Sequence, residues 1–386
     1  MFVHLIKSGF TSNLVKTNLR RFPSLGLMRI LAPPLRVALG LRRGRLVILT
    51  ALFAGAFLLA ANARGEFLYT ANIGDGSISG YTIGTDGNLT PITGSPFTTG
   101  GQPSTVGVDK AGGFLYASLQ QPGEVAGFSI SANGALTPVP GSPFSVGQTI
   151  LSLAVDSHGG FVYATAQSNG VFAYSIGSNG SLNLIAGSPF RTGHEVFSAT
   201  VDPTGKFLYV CNASSKTVSG FHIESTGALK KISKYPFPVD SGPTSIALDP
   251  VGKFAYVSDP DANSIKIERV AQNGALTQLG QTRLDNSANA AVDPTGKFLY
   301  ATDDSTNTVV AYSIGSTGRL TPVPNSPFAT GSGPFGIVVD LTGAFVYVAS
   351  GNSVFGYRIG SNGALSPLSG SPFGTGSGPY RLTVAP

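Results

Sequence analysis

The sequence predicts an all-β fold: a seven-bladed β-propeller of four-stranded blades whose ring is closed by the C-terminal strand. Three observations predict it. Gly (51) and Pro (26) are abundant, while 42% of the 386 residues are apolar and only 11% charged. Neither a disordered chain nor a coiled coil has this mixture, which suits short strands joined by tight turns. An aromatic-aliphatic-Tyr triplet begins at Phe67, Phe114, Phe161, Phe207, Phe254, Phe298 and Phe345, so a unit of about 46 residues recurs seven times. Finally, Tyr380-Arg381-Leu382-Thr383-Val384 reads as a first strand with no hairpin after it, whereas the first unit opens at Glu66 directly on a second strand. Pairing the two closes a ring and removes two exposed edges, while an open stack would need polar caps that the sequence lacks.

The chain divides into a leader, residues 1–63, and the propeller, residues 64–386. Arg42, Arg43 and Arg45 precede an apolar run from Leu46 to Ala61 that ends in Ala61-Asn62-Ala63. This is the order of a secretory signal cleaved after Ala63. A retained membrane anchor is the alternative, because the run approaches spanning length. Met28 offers a second start. Export to the periplasm, the medium or the cell surface follows from either reading.

The formal charge of +6 is confined to that leader, which holds nine Lys or Arg and no acidic residue. From Arg64 onward 16 basic residues face 19 acidic ones, a balance of −3. Nucleic acid is therefore not an expected partner, since phosphate binding needs clustered positive charge. A membrane is one only if the leader stays as an anchor. Cys211 stands alone, so no intramolecular disulfide forms and stability comes from packing.

Within each unit an aliphatic-Asp pair and a turn come first, as in Val201-Asp202-Pro203-Thr204-Gly205. The triplet strand follows, then an Asn-, Asp- or Ser-rich loop and an alternating run such as Val218-Ser219-Gly220-Phe221-His222-Ile223. A turn such as Ser361-Asn362-Gly363 leads into the fourth strand, Ala364-Leu365-Ser366-Pro367-Leu368. Gly-Ser-Pro-Phe recurs at Gly94, Gly141, Gly187 and Gly370, with Asn325 starting a variant. It suits an edge strand leaving its sheet, because Pro removes a ladder donor and Phe supplies an apolar plug. The sixth unit, the one whose gap Phe298 ends, is expected to lack this motif and to carry Gly280-Gln281-Thr282-Arg283 instead.

With the first strand of each blade running down the channel, the Asp-Pro and Ser-Asn-Gly turns share one face. The loops between second and third strands and the links between blades share the other, the top face, which surrounds the channel mouth. Function is expected there.

The repeated Val-Asp-Pro-Thr-Gly-Lys-Phe-Leu-Tyr-Val (residues 201–210) and the seven-fold count resemble the lactonase-like seven-bladed propellers, which include the 6-phosphogluconolactonase type and a carboxymuconate cycloisomerase. The resemblance covers residues 65–386. It implies a channel carrying His, Arg and Glu, often with His just after a Pro on an inner strand. Here those positions hold Ser104, Thr244, Phe335 and Tyr380, and their counterparts are Leu151, Phe197 and Ala288.

His158 falls in a turn on the far face and His222 in a third strand, which leaves His194 near the mouth. His194 and Glu195 occupy the link into the fourth inner strand, at the level where Gln102, Gln148, Asp285 and Asn286 are expected in their own blades. Arg381 is the cation expected inside the ring. A base, a carboxylate and an Arg form a reasonable hydrolase or isomerase set, His194, Glu195 and Arg381, with Gln102, Gln148, Asp285 and Asn286 as ligand-binding residues. No cofactor is expected. The acidic top-face residues Asp240, Asp259, Asp261, Asp285, Asp303 and Asp304 admit a calcium site but lack the full calcium-loop pattern. No zinc ligand set exists, and Gly331-Ser-Gly333-Pro-Phe-Gly336 precedes a strand, so it reads as a blade link rather than a dinucleotide loop. The leading expectation is a monomer that binds a small molecule, glycan or protein at the top face. A lactone hydrolase or related isomerase is the second, and a structural envelope protein the third.

Overall fold

A computed structural model describes residues 65–386 except Ser157, Gly159 and Asn169; the leader lies outside the described residues. Seven antiparallel sheets form the fold, numbered here as blades one to seven by the order of their triplet strands. In blade two, for example, Pro103–Val108, Phe114–Leu119, Glu124–Ile130 and Leu136–Pro138 run from the inside outward. Blade one takes its inner strand from the end of the chain: Pro379–Ala385 pairs with Phe67–Asn72, with Phe67 opposite Ala385 and Leu68 opposite Val384. Among the described residues no helix is long and apolar enough to cross a membrane.

The apolar side chains gather in seven clusters, and each lies between two blades rather than within one. Tyr163 and Val171 of blade three pack with Leu208, Val210 and Phe221 of blade four. The same pattern returns at the closure, where Phe345, Tyr347 and Val354 of blade seven meet Leu68, Tyr81 and Val384 of blade one. A sheet buried on both faces explains why the triplet strands read as nearly continuous apolar runs.

Each triplet does two jobs toward the next blade. Its Tyr hydroxyl donates to the carbonyl of a Ser-Asn-Gly-type turn: Tyr116 to Gly180 (2.9 Å), Tyr209 to Gly274 (2.7 Å) and, across the closure, Tyr347 to Gly87 (2.7 Å). Its Phe ring packs on the same glycine. A Cβ at Gly274 would lie 2.5 Å from Phe207, and one at Gly87 would lie 2.4 Å from Phe345. Both glycines also have positive φ, so only glycine fits.

The turn aspartates are clasps. Asp202 Oδ1 accepts from the backbone N–H of Lys206 (2.8 Å) and Phe207 (2.7 Å), while Oδ2 accepts from Thr204 N–H (3.1 Å). Asp293 and Asp340 repeat the arrangement. These carboxylates are buried and spent on the backbone, which sets them aside from chemistry.

The Ser of each Gly-Ser-Pro-Phe unit accepts from the third strand, as Ser95 Oγ does from Gly80 N–H (2.9 Å), and the following Phe begins a short fifth strand. In blade four Phe237 likewise begins a short fifth strand, while the Tyr235 hydroxyl accepts from Ser219 Oγ (3.0 Å) of the third strand. The expectation for the sixth unit is corrected: blade six has the motif, with Phe328–Ala329 pairing to Thr308–Ile314. Blade five lacks it, because Leu276–Arg283 runs on as one eight-residue outer strand and pairs along the whole of Ser264–Val270. The gap ending at Phe298 begins at the blade-five triplet, so the missing motif belongs to blade five.

Candidate functional site

On the top face, the links into the inner strands of blades three and four and the second loop of blade three enclose an open groove of about 560 Å3 lined by Gln148, Thr149, Gln167, Ser168, His194 and Glu195. The link sequence places these groups. Glu195 adopts a positive φ of 54° just before the strand Val196–Val201. Its carbonyl accepts from Ala213 N–H (2.9 Å), and its carboxylate accepts from the Ser214 hydroxyl. His194 N–H donates to Ser215 Oγ (2.7 Å), so both residues are tied to the second loop of their own blade while their side chains stay exposed. Opposite them the Gln148 side-chain oxygen accepts from the Ser168 hydroxyl.

Three of the expected residues, Gln148, His194 and Glu195, therefore line one groove, and the other four lie outside its lining. Gln102 is engaged through its backbone with Gln120 and Gln121. Asp285 is ion-paired with Arg283 (3.0 Å), and Asn286 N–H donates to Asn263 Oδ1 (3.3 Å). Arg381 is in the bore, its guanidinium carbon 5.6 Å from the centroid of the Phe335 ring. That ring stacks on Tyr380 at 3.9 Å and 15°, with Phe197 a further 6.4 Å from Phe335.

A β-bulge aims Phe197, Tyr380 and Arg381. In blades one, two, three, four and six the ladder between the inner and second strands shifts register near the top, setting two inner residues opposite one. Such a bulge re-aims side chains. Leu151, Phe197 and Tyr380 stand at these irregularities, where the family pattern implies His. Burial of Cys211 beneath pushes its thiol up to about 12, against the opposing pull of the Ser198 hydroxyl and the Arg381 charge. A neutral, fully buried thiol is not a nucleophile.

Four of the acidic residues of the top loops, Asp240, Asp259, Asp285 and Asp303, are engaged locally. Asp259 caps a short helical turn and accepts from Ser241 N–H (2.9 Å) and Ala262 N–H (3.3 Å), Asp303 accepts from Ser305 Oγ (2.6 Å), and Asp240 pairs with Lys266. Among the described residues no group of three or more His, Cys, Asp or Glu is placed to hold a metal ion.

Blade five holds a polar pair that no sequence motif marks. Its third strand carries Lys266 and Glu268, and the latter stands where the other six third strands have Tyr81, Phe128, Tyr174, Phe221, Tyr312 and Tyr357. That break in an aromatic column is the signal the sequence offers. Both residues are buried, and Lys266 Nζ donates to Gln281 Oε1 (2.6 Å). Burial raises the Glu268 carboxyl from its ordinary 4.5 to about 7, with the Lys266 charge pulling the other way. Between those two values the folded chain holds more protons than the unfolded chain, so stability falls as pH rises through that window; the penalty is absent below it and complete above it. Glu268→Gln is expected to remove this slope and to stabilise the protein by about 1–3 kcal/mol at pH 8, once solvent screening is allowed for. Urea unfolding of both proteins at pH 5 and pH 8 measures it, and identical slopes would refute the assignment.

A closed ring of seven antiparallel sheets, each built on four strands and six of them with a short fifth, is the frame of a lactonase-class propeller. The family model for the lactonase seven-bladed β-propeller matches residues 54–151, 147–235, 233–323 and 285–372, and the chain belongs to that family. Among solved structures, a 6-phosphogluconolactonase-like protein from Bacteroides uniformis superposes with a TM-score of 0.74 at 18% identity, covering 83% of this chain and 100% of that one. A periplasmic gluconolactonase from Pseudomonas aeruginosa gives 0.71 at 16% identity, covering 83% and 99%. A protein from Lactobacillus plantarum gives 0.71 at 21% identity over the same shares. At these identities the likeness is one of fold. No curated protein matches by sequence.

Proposed function

We propose that the chain is an exported hydrolase of uncharged sugar lactones, working in the groove between blades three and four. The observation that carries this reading is the convergence of His194, Glu195 and Gln148 on one groove of a lactonase-family propeller. In its neutral form His194 takes a proton from a water that attacks the lactone carbonyl; the ring C–O bond then breaks, and the departing alkoxide receives the proton from the imidazolium. One water is consumed and one hydroxy acid released. Glu195, steadied by Ser214, and Gln148, steadied by Ser168, orient the water and the substrate hydroxyls. Arg381 lies outside the groove lining and takes no part in this step.

The groove lining contains no Lys or Arg and includes a carboxylate. This favours a neutral lactone over a phosphorylated one. Purified protein is expected to hydrolyse gluconolactone with a higher kcat/KM than 6-phosphogluconolactone, and His194→Ala is expected to lower kcat about 100-fold or more. Turnover no faster than the uncatalysed reaction, or an unaltered rate in His194→Ala, would overturn the proposal.

A further inference from the structure

Blade five departs from the other six at its outer rim, and the departures fall together. Elsewhere the Phe of the edge motif lies opposite the second residue of the third strand, as Phe97 lies opposite Ile78 and Phe328 opposite Val309. In blade five Thr282 stands there, opposite Ile265. The apolar residue three places beyond the start of the outer strand is buried at Ile92, Val139, Ile232, Val323 and Leu368, and half-buried at Ile185. Its blade-five counterpart, Leu279, is 42% exposed. Ile267 takes the place of the Gly or Ala of the other third strands, a position where a Cβ on Gly80 would already lie 3.2 Å from Phe97 and from Ile92. It occupies part of the space that the missing plug fills elsewhere. What remains is a cleft of about 420 Å3 between blades five and six, lined by Ile267, Arg269, Leu279 and Gln281 and by Thr317 and Arg319 of the blade-six turn. Arg269 and Arg319 are exposed and make no ion pair among the described residues, and no acidic side chain lines the cleft.

The same departure leaves a bare backbone edge. Leu276–Arg283 is the last strand of its sheet, and among the described residues no strand pairs beyond it. In the other blades the outer strand runs for three residues and the chain then leaves the sheet through a Pro, which blunts the edge. Gly280–Arg283 instead holds an unbroken register with Ser264–Ile267, between an extra residue at Leu279 and the Tyr312 hydroxyl, which donates to the Arg283 carbonyl (3.5 Å). Leu284 N–H donates to the Asn263 carbonyl (3.1 Å), and this sets the phase of the ladder. Gly280 and Thr282 turn their backbone groups toward the third strand, so the N–H and C=O of Gln281 and the N–H of Arg283 face outward beside the cleft.

We propose that this rim is a docking site for an extended acidic segment of a partner protein, which adds to blade five as a further strand, lays an apolar side chain over Leu279 and brings its carboxylates to Arg269 and Arg319. The backbone edge supplies pairing that is indifferent to sequence, and the two unpaired arginines select the charge. A second copy of this chain matches the rim poorly, because its own outer strand carries Arg283 and no acidic residue.

The test is calorimetric titration of the protein with a capped octapeptide of alternating Val and Glu, with the same peptide carrying Lys for Glu, and with two analogues of the acidic peptide N-methylated at every Val or at every Glu. The acidic peptide is expected to bind saturably, about 10-fold or more tightly than the Lys peptide, and less tightly as salt rises. The N-methylated analogue that loses the N–H groups turned toward Gln281 is expected to bind about 10-fold more weakly, and the other like the parent. Arg319→Glu, on an exposed turn, and Leu279→Asp, on an exposed strand position, are each expected to weaken the acidic peptide about 10-fold. The proposal is overturned if the acidic peptide does not bind or the Lys peptide binds as tightly; if both N-methylated analogues bind like the parent, so that the cleft takes anions without strand pairing; if neither variant weakens binding; or if sedimentation shows a dimer that Leu279→Asp dissociates, so that the rim is covered by a second copy.

Discussion

Removing residues 379–386 is expected to abolish the cooperative folding of the entire propeller, although only eight residues are lost. Those residues are the inner strand of blade one. Without them the strand Phe67–Asn72 has an open edge, and the interfaces with blades seven and two lose Val384 and Ala385 respectively. The ladder bonds and the buried apolar side chains together amount to about 5–10 kcal/mol. A domain's whole margin is about 5–15 kcal/mol. The unpaired strand is also a template for association. Circular dichroism should show a broad or absent thermal transition, and size-exclusion chromatography should show aggregates. A synthetic peptide spanning residues 378–386 should restore part of the transition. A truncated protein that melts as sharply and as high as the full chain would show that the ring does not depend on its closing strand.

Gly227→Ala is expected to be among the most damaging of the small substitutions, costing about 3–5 kcal/mol. Two penalties add there. The residue has φ +81°, which a side chain resists, and a Cβ would lie 2.4 Å from the Phe161 ring of the preceding blade. The ring cannot retreat without moving its triplet neighbour Tyr163, whose hydroxyl donates to the Gly227 carbonyl (3.2 Å). Gly147→Ala isolates the first penalty, since Gly147 has φ +72° and a Cβ there would meet nothing within 4 Å. It should cost about 1–2 kcal/mol. Urea unfolding of the two variants measures the difference, and equal losses would mean that the inter-blade packing contributes nothing.

The repeat count, the closing strand and the two faces were legible because each depends on local pattern: a triplet, a turn, and an unpaired strand at each end. The contacts that join the blades were not. Tyr209 and Gly274 each stand out as members of a column, yet periodicity alone cannot tell whether a Tyr meets the turn of its own unit or of the next. The missing edge motif of blade five falls one unit earlier than the spacing suggests for a similar reason, since a spacing measured between triplets spans the end of one blade and the start of another.

The candidate sites divide along the same line. His194, Glu195 and Gln148 could be placed together because they occupy corresponding links of adjacent blades, whose positions the seven-fold pattern fixes. Lys266 and Glu268 belong to no motif, although Glu268 interrupts a column of six aromatic residues. Arg381 Nε and Nη2 are buried without a hydrogen-bond partner, a state with no sequence signature, because the want of a partner is a property of everything around a side chain.

The sequence by itself determined the architecture: seven similar units and a displaced first strand specify a ring, since each unit buries its apolar faces only against another copy. The tertiary structure alone decided the chemistry. Which polar groups meet at the mouth, which are spent on turns and which stay unpaired in the bore depend on single side chains from different blades, and the repeat carries no record of those encounters.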